Sequence, residues 1–342
     1  MTTDRAAGEK TAGGGGAADS SPGPRPKPLA AGDIGAKPAV MAADDAGRPK
    51  TKAVWLLVLA AGLWGLTFTA GKVASDQAGP LSATLWRFIL AGLALVPLAL
   101  ARAGRDGGRL LPRKGDWALL VLSGLTGLVL YNFFFIKALA MIPAGRGSVI
   151  VCGSPVLIYL GSVLFFGEKL RPVPVMGIAL SILGTAWATS ERPWTLFSEG
   201  LGRGDMIMLL CPLSWTAYSL LGKVVVKRQT PLAANAWSVA AAVAMLLVLA
   251  PASGEPLSQA AGYGPATWSC LAFLGLGGTA LGFTFFYRGI VELGPHRAAS
   301  FINLVPVFGI LFSWLLLGER PGLNLLLGLA LILAGIRLVQ KH

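Results

Sequence analysis

Charge is scarce in this sequence. Only 13% of its 342 residues are Asp, Glu, Lys or Arg, about half the roughly 25% usual in a soluble domain. Water therefore cannot be the solvent for most of its surface. Histidine occurs only as His296 and His342, and the three cysteines, Cys152, Cys211 and Cys270, lie inside apolar stretches without CxxC spacing. Neither a disulfide framework nor a zinc site fits, and the cysteines read as small core residues. No GxxxxGK[ST] loop is present. The run Gly275-Leu276-Gly277-Gly278 follows no strand, so it reads as close helix packing rather than a phosphate cradle. No cofactor and no metal are expected.

What is present is apolar: 54% of the residues are hydrophobic. A hydrocarbon core about 30 Å thick takes roughly 20 apolar helical residues to cross, and such runs recur from Ala53 to Val339. The lipid bilayer is the expected medium. The formal charge of +13 does not point to nucleic acid, because the basic residues flank apolar runs in short loops and form no basic face. Residues 1–52 are rich in Gly, Ala and Pro without an apolar period, which predicts a disordered tail. The tail has no apolar core of a secretory signal. Its closing Arg48, Lys50 and Lys52 place the amino terminus in the cytoplasm.

Self-comparison decides the architecture. At an ungapped offset of 151, Trp64 falls on Trp215, Trp86 on Trp237 and Trp117 on Trp268, pairing six of the ten tryptophans. The same shift superposes Pro80 on Pro231, Gly124 on Gly275, Arg146 on Arg297, Pro155 on Pro306, Gly167-Glu168 on Gly318-Glu319 and Gly184 on Gly335. Residues 53–190 and 204–341 read as two copies of one unit.

Each copy holds five apolar runs, so the fold class is an all-α integral membrane protein with ten transmembrane helices. Five is odd, so the second copy enters the membrane from the opposite side, an inverted repeat of the kind used by secondary transporters. Loop charges agree. Segments assigned to the cytoplasm carry Arg102, Arg105, Arg109, Arg113, Lys114, Lys169, Arg171, Lys223, Lys227, Arg228, Arg288, Arg297, Arg337 and Lys341 besides the three before the first helix. The other side has Lys72, Lys137, Arg146, Arg192, Arg203 and Arg320. That asymmetry puts both termini inside.

The segment Trp64-Gly65-Leu66-Thr67-Phe68 with Lys72, Pro80 followed by Trp86-Arg87-Phe88, and the endings Phe166-Gly167-Glu168-Lys169 and Leu317-Gly318-Glu319-Arg320 together resemble the EamA-type exporters of the drug/metabolite transporter superfamily. The resemblance covers residues 53–341. It implies a multi-pass protein of the bacterial cytoplasmic membrane that exports amino acids, related metabolites or drugs. It does not name the substrate, which varies on this scaffold.

Candidate site residues follow from interruptions and buried polarity. Pro155 and Pro306 fall near the middle of the fourth and ninth helices, where each frees a carbonyl, at Val151 and Ile302. Unwound backbone at that depth belongs beside a cavity or under protein, with Ser154 and Asn303 offering polar contacts at the kinks. The alternative is a structural kink in a packed bundle. Arg87 lies roughly 9 Å along the second helix at about 1.5 Å per residue, with only Ser238 as its counterpart. Two readings stand: it meets a substrate carboxylate, or it ties the helix to backbone carbonyls. Trp64, Phe68, Tyr131, Asn132, Tyr159, Trp215 and Tyr218 form an aromatic and polar set suited to an amphipathic solute, or to packing alone. Trp55, Trp117 and Trp268 sit at helix ends, where an interfacial belt is the default. Glu168 and Glu319 read as helix caps or partners of the following base rather than as substrate ligands.

A secondary transporter of small molecules is the expected function. Its rivals are a membrane-bound transferase, which needs a His, Asp or Cys constellation not seen here, and a membrane-embedded sensor or assembly protein. No span carries an Asp or Glu near its midplane, so exchange or facilitated efflux is favoured over a carboxylate proton relay.

Overall fold

Long apolar runs in a medium without water leave the backbone one economical solution, the helix, whose hydrogen bonds are all internal. The computed structural model describes residues 51–105, 111–167, 172–189, 201–225, 228–293 and 301–340, within the unit Pro49–His342. Among the described residues every regular element is helical. The tail up to residue 50 lies outside them, as do Glu168, His296 and Arg297.

In chain order the helices are α1 Thr51–Ala74, α2 Pro80–Arg105, α3 Lys114–Leu139, α4 Ala144–Phe165, α5 Pro172–Ala188, α6 Arg203–Gly222, α7 Leu232–Ala252, α8 Pro265–Phe286, α9 Ile302–Leu317 and α10 Leu323–Leu338. Seven are long and apolar enough to cross a membrane, and α5, α9 and α10 are shorter apolar helices. This is a multi-pass membrane protein. Large apolar side chains such as Leu93, Leu164 and Phe165 point outward, at 70–76% exposure, where hydrocarbon covers them at no cost.

Local sequence sets the ends. Proline opens α2, α5 and α8, where its missing N–H has no helical partner to lose. Gly167 and Gly318 follow the last helical residues of α4 and α9 with φ of 68° and 70°. Only glycine takes this left-handed cap without strain, which explains the paired Gly-Glu in the sequence.

Packing repeats at the offset of 151. Trp86 meets Trp268 edge-on at 5.1 Å, and the shifted pair Trp237 and Trp117 meets at 5.8 Å. Trp117 and Trp268, expected in an interfacial belt, thus each pair with another tryptophan. Edge-to-face geometry rewards that pairing by about 0.5–1.5 kcal/mol beyond burial. Trp55 is exposed. A Cβ on Gly124 would come 2.8 Å from the Ser238 carbonyl oxygen, and one on Gly275 would come 2.5 Å from that of Arg87. Between α5 and α10, Gly184 faces the Gly328 carbonyl and Gly335 faces that of Gly177, at 2.8 and 2.5 Å. At the loops, Gln77 Oε1 accepts from the Gly264 amide and Thr267 Oγ1, while Asp116 accepts from Arg228 and Gln229. Subtracting or adding 151 carries Thr267 onto Asp116 and Gln77 onto Arg228.

Backbone carbonyls cannot step aside as side-chain tips do. Gly335→Ala should therefore destabilise the purified protein by about 1–3 kcal/mol, seen as a lowered thermal-unfolding midpoint in detergent. Gly62→Ala, with nothing within 4 Å of its new Cβ, should leave the midpoint unchanged or slightly raised.

Candidate functional site

A cavity of about 450 Å³ lies among α1, α2, α3, α4, α6, α8 and α9, within the size range of small-molecule sites. Trp64, Phe68, Arg87, Tyr131, Asn132, Ser154, Pro155, Tyr159, Trp215, Asn303 and Pro306 all line it. Tyr218 does not. Its ring meets that of Trp215 at 5.0 Å with a 40° tilt and packs against Gly127, which has no room for a Cβ there. Tyr218 therefore supports the wall from behind.

Both prolines fall in the first turn of a helical half rather than in a helix interior. α4 breaks at Gly153 and restarts at Ser154, one residue before Pro155. The freed Val151 carbonyl accepts from Ser154 Oγ at 2.6 Å. In α9, Ile302–Leu304 form a 3₁₀ turn before Val305–Leu317, and the Val305 amide donates to the Ile302 carbonyl. Both freed carbonyls thus have internal partners.

Two π-helical segments, Gly124–Leu130 in α3 and Phe273–Leu281 in α8, shape the opposite wall. Widened turns of this kind displace the regular carbonyl partners, and π-bulges gather at functional sites. Here side chains take the carbonyls up. Trp64 Nε1 donates to Gly278 O at 2.9 Å, Thr279 Oγ1 to Leu274 O at 3.0 Å, and Asn132 Nδ2 to Leu128 O at 2.8 Å.

These bonds orient the group around Arg87. Its Nη1 donates to Asn132 Oδ1 at 2.7 Å and its Nε to Thr279 Oγ1 at 3.3 Å. The tie is to side chains of α3 and α8, not to the backbone carbonyls that one sequence reading proposed. Nη2 has no acceptor among the described residues, and no Asp or Glu is found among those lining the cavity. The guanidinium is thus held as a fixed cation without a counter-charge.

Aromatic rings cover the remaining wall. Trp64 meets Phe283 and Phe286 at 5.3 and 5.2 Å, Phe68 meets Phe135 at 5.0 Å, and Tyr131 lies 6.0 Å from Phe135 and 5.6 Å from Trp215. Sequence reasoning missed Thr67, Ser148, Ser162, Thr279 and Phe283, which also line the space. Small hydroxyl residues are ordinary in membrane helices, and only the π geometry turns Thr279 toward Arg87.

Charges at the helix ends hold the frame. Glu319 accepts the Ala144 and Gly145 amides at 3.1 and 3.3 Å, capping α4 as expected of this residue. Glu255 caps α2 through the Ser82 amide at 2.8 Å. Arg146 pairs with Asp205 at 2.6 Å, joining α4 to α6. Glu319→Ala should lower stability by about 0.5–2 kcal/mol, as loss of an N-terminal cap does. Glu319→Gln, which keeps one acceptor oxygen, should lose less, a difference read from denaturation midpoints.

The EamA-like transporter family matches the chain twice, over residues 51–190 and 202–340. A Bacillus subtilis (strain 168) protein named "Uncharacterized transporter YvbV" is 29% identical over 85% of this chain and 92% of its own length. A Streptantibioticus cattleyicolor protein named "Probable terminal-alkyne amino-acid exporter" is 28% identical over 85% of this chain and 94% of its own. One crystal structure aligns with a TM-score of 0.56 and 21% identity, covering 85% of this chain and 98% of that one, a likeness of fold.

Proposed function

Because the chain belongs to the EamA-like transporter family, we propose that it is a secondary transporter that exports small metabolites, such as amino acids or related compounds, by alternating access. The observation that carries this reading is the cavity, whose wall draws on α1 to α4 of the first copy and α6, α8 and α9 of the second. A solute there touches both copies at once, so rocking one against the other changes its access without dismantling the site. The S. cattleyicolor relative, named as a probable amino-acid exporter, supports the cargo class.

The proposal includes ten spans in two five-helix copies of opposite orientation, 53–190 and 204–341, with both termini in the cytoplasm of a bacterial cell. Supporting it are the two family matches and the contacts that recur at the 151 offset. The break at Gly153 and the 3₁₀ turn of α9 supply two places where backbone can flex beside the cargo. Trp64, Phe68, Tyr131, Tyr159 and Trp215 would face an apolar body, while Arg87, Asn132, Ser154 and Asn303 would face polar groups.

Proteoliposomes loaded with a radiolabelled metabolite panel should release or exchange one or more members only when the protein is present. Failure to move any member would overturn the transport reading. Asn303→Trp, which fills the cavity from α9, should cut that flux at least tenfold while leaving the unfolding midpoint intact. For topology, a membrane-impermeant maleimide applied to intact cells should label a cysteine at Ser253 but not one at Arg105, in a background lacking Cys152, Cys211 and Cys270. The opposite pattern would reverse the proposed orientation.

A further inference from the structure

We propose that the cavity selects a solute bearing a carboxylate, seats that carboxylate on the open Nη2 edge of Arg87, and rejects organic cations. This rests on the transport reading above and narrows it.

Arg87 is the cation of the cavity wall among the described residues, and it is held in place from two directions. Asn132 Oδ1 takes one N–H of Nη1 and Thr279 Oγ1 takes that of Nε. Both acceptors are themselves fixed, Asn132 by its bond to Leu128 O and Thr279 by its bond to Leu274 O. Neither partner carries charge, so the cluster neutralises none of the guanidinium's. A cation in a largely apolar chamber without a counter-ion draws an anion into the space. The open edge matches the planar fork that binds carboxylate oxygens with directed N–H bonds. Gly278 lies against the cluster, where a Cβ would meet Thr67 Cγ2 at 2.6 Å and come within 3.8 Å of Nη2.

The apolar surroundings set the rest of the cargo. Trp64 and Phe283 lie beside the cluster, and Tyr131 and Trp215 continue the wall. An apolar or aromatic body attached to the carboxylate fits this lining. An organic cation meets the opposite situation: it finds a like charge at Arg87 and no carboxylate among the described lining residues. The repeat offers no second seat, because the positions equivalent to Arg87, Asn132 and Thr279 are Ser238, Phe283 and Leu128.

The test uses four probes matched in shape: L-phenylalanine, L-phenylalaninamide, 3-phenylpropionate and 3-phenylpropanamide. Binding to the full-length purified protein is followed by quenching of tryptophan fluorescence, and flux by uptake into proteoliposomes. Both acids should bind at least tenfold tighter than the amide of the same skeleton. Arg87→Gln should erase that tenfold preference while keeping the weak binding of 3-phenylpropanamide, and Arg87→Lys should restore part of it. Equal binding of acid and amide to the wild type overturns the proposal, as does an acid preference that survives Arg87→Gln. If Arg87→Gln does not fold, the wild-type comparison alone decides. Tight acid binding without flux of any probe would instead overturn the transport reading and leave the carboxylate seat standing.

Discussion

A backbone carbonyl surrounded by hydrocarbon has no water to turn to, and the departures from regular helix around the cavity are governed by that fact. An unpaired buried polar group costs about 1–3 kcal/mol, and the carbonyls exposed around the cavity have local partners. Ser154 serves the carbonyl released at Val151, the Val305 amide serves Ile302, and Trp64, Thr279 and Asn132 serve carbonyls in and beside the π-helical segments. The irregular stretches border the cavity. Interruption and chamber are therefore one design: the helices deviate where space is required, and side chains on the rim satisfy the groups that deviation exposes.

Glycine supplies the complementary constraint. Where helices cross at Gly124, Gly275, Gly184 and Gly335, a carbonyl oxygen of the partner helix occupies the space a side chain would take. Close approach of backbones is what holds membrane helices together when lipid is as apolar as leucine. These crossings locate α2 against α8, α7 against α3 and α5 against α10. Glycine also brings α1, α9 and α4 together beside the chamber, with Gly65 against Phe308 and Gly309, and Gly309 against Ser148.

Much of this was legible in the sequence, for reasons that can be named. The tryptophans recur at one numerical offset and meet edge-on in space, and Gly167 and Gly318 recur because each takes the same left-handed cap. Pro155 and Pro306 announce irregular backbone because a ring cannot donate a hydrogen bond. Arg87 stands out because buried charge is rare. The structure added what one-dimensional spacing does not encode. The π turns are invisible to a hydropathy scan, so Thr279 gave no signal. Trp117 and Trp268 look like belt residues until their partners are known. Tyr218, one turn from Trp215, faces away from the cavity by an angle too small for helical periodicity to settle.

Arg87 has a consequence for energetics as well as for fit. It has no counterpart at Ser238, so the described lining residues place a positive charge on one side of the chamber and no carboxylate on the other. For cargo with one net negative charge, the moving charge is the cargo's own. Membrane voltage does about 2.3 kcal/mol of work per elementary charge per 100 mV. In a cell whose interior is negative, that work drives an anion outward. Under the proposed export, a cargo leaving as a net anion would thus draw on the membrane potential, and a zwitterion would not.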